Sequence, residues 1–114
     1  MKYEVMMTSQ AVADLRTVFE YIAYELLAGQ TALNQLDRLE KAIEGLEEMS
    51  ERHHVYEKEP WKSRNLRVMP VDNYLVFYIA EKEEKRVMVI RIMYGRRDIE
   101  TQLKVHTPDK DSGK

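Results

Sequence analysis

A chain of 114 residues, 44% of them hydrophobic, can hold one globular core and is too short for two. It has no cysteine, which excludes disulfide scaffolds and thiolate metal sites, and no apolar run near the roughly 18 residues of a membrane-spanning helix. The formal net charge of −2 conceals a division: residues 1–60 carry six Lys/Arg against twelve Asp/Glu, whereas residues 61–97 carry nine against four. Such a split either steers anionic partners to a basic face or draws the two portions together.

The opening "MKYEVMMTSQ" lacks the pattern of a signal peptide, so a cytoplasmic protein with no membrane partner is expected. Within it, residues 2–8 read as a strand with at least one buried face. Thr8 and Ser9 offer side-chain oxygens to cap a helix. Val12, Leu15, Phe19, Ile22 and Leu26 then recur at spacings of three and four, an apolar stripe that Gly29 should close. A second helix is expected from Thr31 to Met49, with Leu33, Leu36, Leu39, Ile43, Leu46 and Met49 as its stripe. Its opposite face carries a favourable Asp37–Lys41 pair and a repulsive Glu44–Glu48 pair. The short joint at Gly29 and Gln30 makes the two helices an antiparallel hairpin.

Residues 51–63 break the pattern and read as a connection in which Trp61 plugs the end of a helix. Three strands follow. In "RNLRVMPV", Leu66 and Val68 face one side and Arg67 and Met69 the other, and Pro70 should end pairing for want of an N–H. "NYLVFYIA" is apolar on both faces and should be central. After the charged turn "EKEEK", "RVMVIRIMY" returns, and strict alternation would put Val89, Arg91 and Met93 on one face with Met88, Ile90, Ile92 and Tyr94 on the other. The order is β-α-α-β-β-β, an α+β fold with a small antiparallel-rich sheet and the helical hairpin on one face. Residues 1–103 form its single domain, and 104–114 read as a disordered polar tail.

The candidate functional residues are cationic. An isolated charge is costly to bury, so Arg91 within "VMVIRIMY" should lie on an open sheet face or find a carboxylate or phosphate. If strands two and four share a concavity, Arg67 and Arg91 flank a groove that Arg96 and Arg97 close at one end. Arginine forks match phosphate and carboxylate geometry, although a solvated turn paired with Asp98 would also account for Arg96 and Arg97. Tyr74, Tyr78 and Tyr94 suit either base stacking or the core. His53, His54, Glu57 and Glu59 lack the spacing of a metal site. No metal or other cofactor is implied, and no Ser/His/Asp set or catalytic carboxylate pair stands out.

The element order, taken with "NYLVFYIAEKEEKRVMVIRIMYGRRD", resembles the RelE/ParE superfamily of toxins from type II toxin-antitoxin, plasmid-stabilisation-like modules, over about residues 2–103. The resemblance implies a cognate antitoxin as partner and one of two modes of action. RelE-like members cut mRNA on the ribosome by attack of a 2′-hydroxyl on the adjacent phosphate, which requires a base, cations and an acid. Carried over residue by residue, Arg67 and Arg97 match cationic positions. Asn65 replaces a strand-two base, Leu75 stands where the strand-three Arg is expected, and Leu103 falls near the expected Tyr. His54, Lys62, Arg91 or Tyr94 would have to supply the missing roles. ParE-like members instead poison DNA gyrase without being enzymes, and the helical hairpin and "GRRD" ending look closer to them. The expected contact surface for target or antitoxin is Arg67, Arg91, Tyr94, Arg96 and Arg97. A non-toxic interaction module of the same fold is the alternative in a different class.

Overall fold

The structure, a computed structural model, describes residues 2–49, 53–95 and 103. Its elements follow the expected order: β1 (Glu4–Met7), α1 (Ser9–Glu20) continued by a π-helical turn (Tyr21–Glu25), α2 (Gly29–Glu44), a short α3 (Leu46–Met49), β2 (Arg67–Val71), β3 (Tyr74–Glu81) and β4 (Arg86–Tyr94). The four strands lie in the order β1-β4-β3-β2, with β1 parallel to β4 and the other neighbours antiparallel. The helical hairpin covers one face, as the α+β reading expected. The proposed tail at 104–114 lies outside the described residues.

Local chemistry explains where the helices start and stop. Thr8 caps α1, its Oγ1 accepting from the Ala11 N–H at 3.0 Å. The hairpin turn differs from the sequence expectation. Gly29 opens α2, and the left-handed position that closes the preceding helix belongs to Leu27, with φ of 52°. The Ala28 N–H reaches back to the Ile22 carbonyl at 3.1 Å, one residue further than the 6→1 bond usual beside a left-handed helix end, in keeping with the wider π-helical turn before it. Gly45 breaks the second helix, separating α2 from α3.

The buried stripes are rotated from those expected. Ala11, Asp14, Val18 and Ile22 are buried on the first helical segment, and Ala32, Gln35, Leu39 and Ile43 on α2; Val12 and Leu33 are exposed. The polar members of the inward face are held by partners, Asp14 by Arg91 and the Ile92 N–H, and Gln35 by Asp72. A stripe chosen by hydrophobicity alone passes over alanine, aspartate and glutamine.

Beneath the hairpin, the core joins Ala11, Val18, Ile22, Ala32, Leu39 and Ile43 to Tyr74, Val76, Tyr78, Val87, Val89 and Ile92. The other face of the sheet is also covered in part. Trp61, Leu66, Phe77, Met93 and Leu103 form a second buried cluster, flanked by Tyr56, Val68, Leu75, Ile79 and Ile90. Trp61 therefore seals a sheet face, not a helix end. Central β3 is apolar on both faces for this reason. Pro70 sits within β2, opposite Leu75, and does not end it. The missing N–H is tolerated because β2 is an edge strand.

Strand β4 departs from strict alternation. Phe77 pairs with Arg91 while the next residue, Tyr78, pairs with Val89, so Ile90 is an extra residue in a β-bulge. Val89 and Ile92 consequently share the helix-side core, whereas Ile90 and Met93 pack on the second cluster. The face assignment expected from a period of two fails at this point.

Candidate functional site

The bulge decides where Arg91 goes. Its side chain, 5% exposed, turns toward α1 and forms a two-pronged ion pair with Asp14: Nε donates to Oδ2 at 2.7 Å and Nη2 to Oδ1 at 3.1 Å. The same carboxylate accepts the Ile92 backbone N–H at 2.9 Å and the Gln10 side-chain amide at 3.2 Å. Of the two environments expected for Arg91, the carboxylate is the one realised. The expectation that it flanks an open groove with Arg67 is corrected: a buried charge is tolerable here because Asp14 neutralises it and supplies hydrogen bonds in fixed geometry.

Arg67 lies elsewhere. It pairs with Tyr78, four residues along β3 from Tyr74, which places it roughly 13 Å along the strand from the Tyr74–Tyr94 pair. Its Nη1 donates to the His53 carbonyl at 2.7 Å. Around it is an open depression of about 680 Å³ lined by Arg64, Asn65, Lys82, Arg86 and the acidic residues of the β3–β4 turn. The charges there are largely engaged. Arg86 donates to Glu81 at 2.7 Å and to Glu84 at 2.9 Å, and the Arg64 guanidinium stands 5.1 Å from the Trp61 ring centre. The Glu81 partner holds the Arg86 pKa above its ordinary value.

At the opposite end of the sheet a groove of about 450 Å³ opens between the end of the first helical segment and the ends of β3 and β4. Val18, Ile22 and Tyr74 contribute apolar buried surface, Asp14, Gln35 and Arg91 contribute buried polar surface, and Tyr21, Leu26 and Tyr94 form exposed walls. The Tyr94 ring meets Tyr74 edge-on at 5.7 Å. Burial, reinforced by the neighbouring Tyr94 and Tyr21 phenols, raises the Tyr74 pKa. Of the sequence-predicted contact residues, Tyr94 and Arg91 line this groove, Arg91 with its guanidinium held by Asp14. Gly95 closes the strand through its N–H to the Asn73 carbonyl at 2.9 Å. Arg96 and Arg97, which follow it in sequence, lie outside the described residues.

Two positions bear on RNA-cleavage chemistry. Leu75 and Leu103, which stand where the resemblance would require an arginine and a tyrosine, both belong to the second apolar cluster, and Leu103 is wholly buried. Neither side chain offers a cation or a proton. The histidine and carboxylate residues of the long connection do not converge on one centre. The His53 ring meets Tyr78 edge-on at 6.3 Å, while Glu59 accepts from the Ser63 hydroxyl at 2.7 Å, which lowers its pKa. Among the described residues, no group of three or more potential ligands could hold a metal ion. No helix among them is long and apolar enough to cross a membrane.

Residues 5–99 match the family described as ParE toxin of type II toxin-antitoxin system, parDE. The chain belongs to the ParE toxin family. This makes it the toxin component of a type II toxin-antitoxin system within the RelE/ParE superfamily. Solved structures agree with the ParE-family fold. The chromosomal ParDE system of P. aeruginosa contains a chain that superposes with a TM-score of 0.67 at 16% identity, covering 82% of this ParE-family chain and 96% of that one. A chain of the RelBE2 toxin-antitoxin complex from Mycobacterium tuberculosis gives 0.58 at 18% identity, with 82% and 99% covered. A chain of the RelE-RelB complex from Pyrococcus horikoshii gives 0.58 at 18%, with 85% and 99% covered. At these identities the likeness is one of fold. No curated protein sequence matches the chain.

Asp14 and the groove wall at Tyr21 and Leu26 were missed from the sequence. Asp14 carried a signal: it lies three residues after Ala11 and four before Val18, a charge set on the face the helix buries, while Arg91 is a charge of opposite sign set among apolar strand residues. Two such anomalies in one small chain suggest that each solves the other.

Proposed function

We propose that this ParE-family toxin acts by binding and inhibiting DNA gyrase, and that a cognate antitoxin neutralises it. The single observation that carries this reading is the apolar packing of Leu75 and Leu103. A phosphate in an RNA-cleaving transition state needs cations and a proton donor within hydrogen-bond reach. At the two positions named, this protein has a second core. The family match favours the same reading, and the solved relatives, described as toxin-antitoxin complexes, support the antitoxin. Target contact is made from the end of β4, through Tyr94, Arg96 and Arg97.

Two experiments test it. Induced expression should arrest growth, and co-expression of the antitoxin should relieve the arrest; uninhibited growth would favour a non-toxic interaction module. Purified protein should block gyrase supercoiling and leave mRNA on programmed ribosomes intact. Cleavage of A-site codons, lost in Arg97→Ala, would reverse the assignment.

A further inference from the structure

Strand β1 is short. Its last pair with β4 is Met7 with Val89, yet β4 continues to Tyr94, so its outer edge runs past the end of its neighbour. An uncovered strand edge beside buried residues would leave backbone groups without partners. Two side chains from the start of the helical hairpin take over. The Thr8 hydroxyl donates to the Ile90 carbonyl at 2.9 Å, and the Asp14 carboxylate accepts the Ile92 N–H at 2.9 Å. Together they bracket the bulge, one contact at the extra residue Ile90 and the other two residues later.

We infer that Asp14 is a positioning residue whose carboxylate substitutes for the missing strand along β4, holds the bulge, and thereby aims Tyr94 into the groove. The geometry separates this role from charge pairing. Oδ2 receives two donors, the Arg91 guanidinium and the Ile92 amide, and only the second fixes the backbone. Without that acceptor, the bulge loses one of the two side-chain hydrogen bonds that bracket it. The strand can then relax toward regular alternation, which exchanges the faces of the residues on one side of the bulge. Tyr94 against Tyr74 would be the casualty, and with it the wall of the groove. The inference rests on the reading that target contact is made from the end of β4, but its structural half can be measured independently.

Two double variants test it. Asp14→Asn with Arg91→Met keeps an uncharged acceptor for the Ile92 amide and removes the ion pair; Asp14→Leu with Arg91→Met removes both. Replacing a buried ion pair by apolar residues generally preserves folding. In the leucine variant, the Ile92 amide should exchange roughly 10- to 100-fold faster, the loss expected for a hydrogen bond to a charged group. The Tyr74–Tyr94 ring contact should vanish from nuclear Overhauser spectra, and the concentration needed to inhibit gyrase should rise about tenfold or more. The asparagine variant should retain the protection, the contact and the inhibition. Should the leucine variant fail to fold, Asp14→Ala with Arg91→Met replaces it. Retention of protection and ring contact in the leucine or alanine variant would overturn the inference, as would their loss in the asparagine variant. If wild-type protein leaves gyrase untouched, the gyrase reading fails, while exchange and ring contact still decide the role of Asp14.

Discussion

Replacing Leu103 by alanine isolates the second core from the first. Leu103 is fully buried among Trp61, Leu66, Phe77 and Met93. The substitution removes three carbons, worth about 2.4 kcal/mol at about 0.8 kcal/mol for each. A cavity contribution would raise this and partial collapse of the neighbouring side chains would lower it, so about 2.5 kcal/mol is the expected loss. An unfolding entropy of about 2.1 cal/mol/K per residue gives about 240 cal/mol/K for 114 residues, hence a fall in melting temperature of roughly 10 °C. The protein supplies its own local probe, since Trp61 is its single tryptophan and lies in the same cluster. Calorimetry and tryptophan emission should change together, with the folded-state spectrum moving to the red. Leu39→Ala, in the helix-side core, should lower the melting temperature without that spectral change. A Leu103→Ala protein that melts within about 2 °C of wild type with unshifted emission would refute the second core.

Four further outcomes are expected. Thr8→Ala removes both the helix cap and the donor to Ile90, and should lower the melting temperature by about 4–8 °C, corresponding to about 1–2 kcal/mol; an unchanged melt would show that neither bond stabilises the fold. Leu27→Asn relieves a left-handed leucine that is 86% exposed and should raise stability by up to about 1 kcal/mol, measured by urea titration, with a lower midpoint as the contrary result. Arg38 first, then Gln35, holds the Asp72 carboxyl below its ordinary value, so its stabilising effect is present at neutral pH and lost as pH falls through the depressed folded-state value. Asp72→Asn should therefore flatten the acid limb of the stability curve, slightly and in a salt-sensitive way because the pair is exposed; equal acid limbs would contradict the linkage. Arg97→Ala should weaken gyrase inhibition while leaving melting within about 2 °C, and a collapse in stability would make that arginine structural.

The sequence made the architecture readable because its clearest signals were the ones that tertiary packing left intact. The doubly apolar β3, the charged turn between β3 and β4, and the threonine cap each required only a few neighbouring residues. Helix faces were harder, since Ala11, Asp14 and Gln35 are buried without being large and apolar, whereas Val12 and Leu33 are large, apolar and exposed. The hairpin turn was missed because Leu27, a poor choice for left-handed backbone, occupies it two residues before a glycine. At the site, Arg91 stood out as a charge among apolar strand residues, and it lies on Asp14, whereas Arg67 lies on the His53 carbonyl. Their separation depended on the β4 bulge, and one extra residue in a strand leaves no mark in a pattern of period two. Asp14 and Arg91, 77 residues apart in sequence, become legible as a pair only once β1 is seen to stop short.

The central claim is that this toxin acts on gyrase by binding, with apolar packing where RNA-cleaving chemistry would stand. The most direct measurement follows plasmid DNA in a gyrase reaction stopped with detergent and protease, beside ribosomes carrying a defined mRNA codon in the A site. Linearised plasmid increasing with toxin concentration while the mRNA stays full length is the predicted result. Intact plasmid together with a cut at the A-site codon would contradict the account.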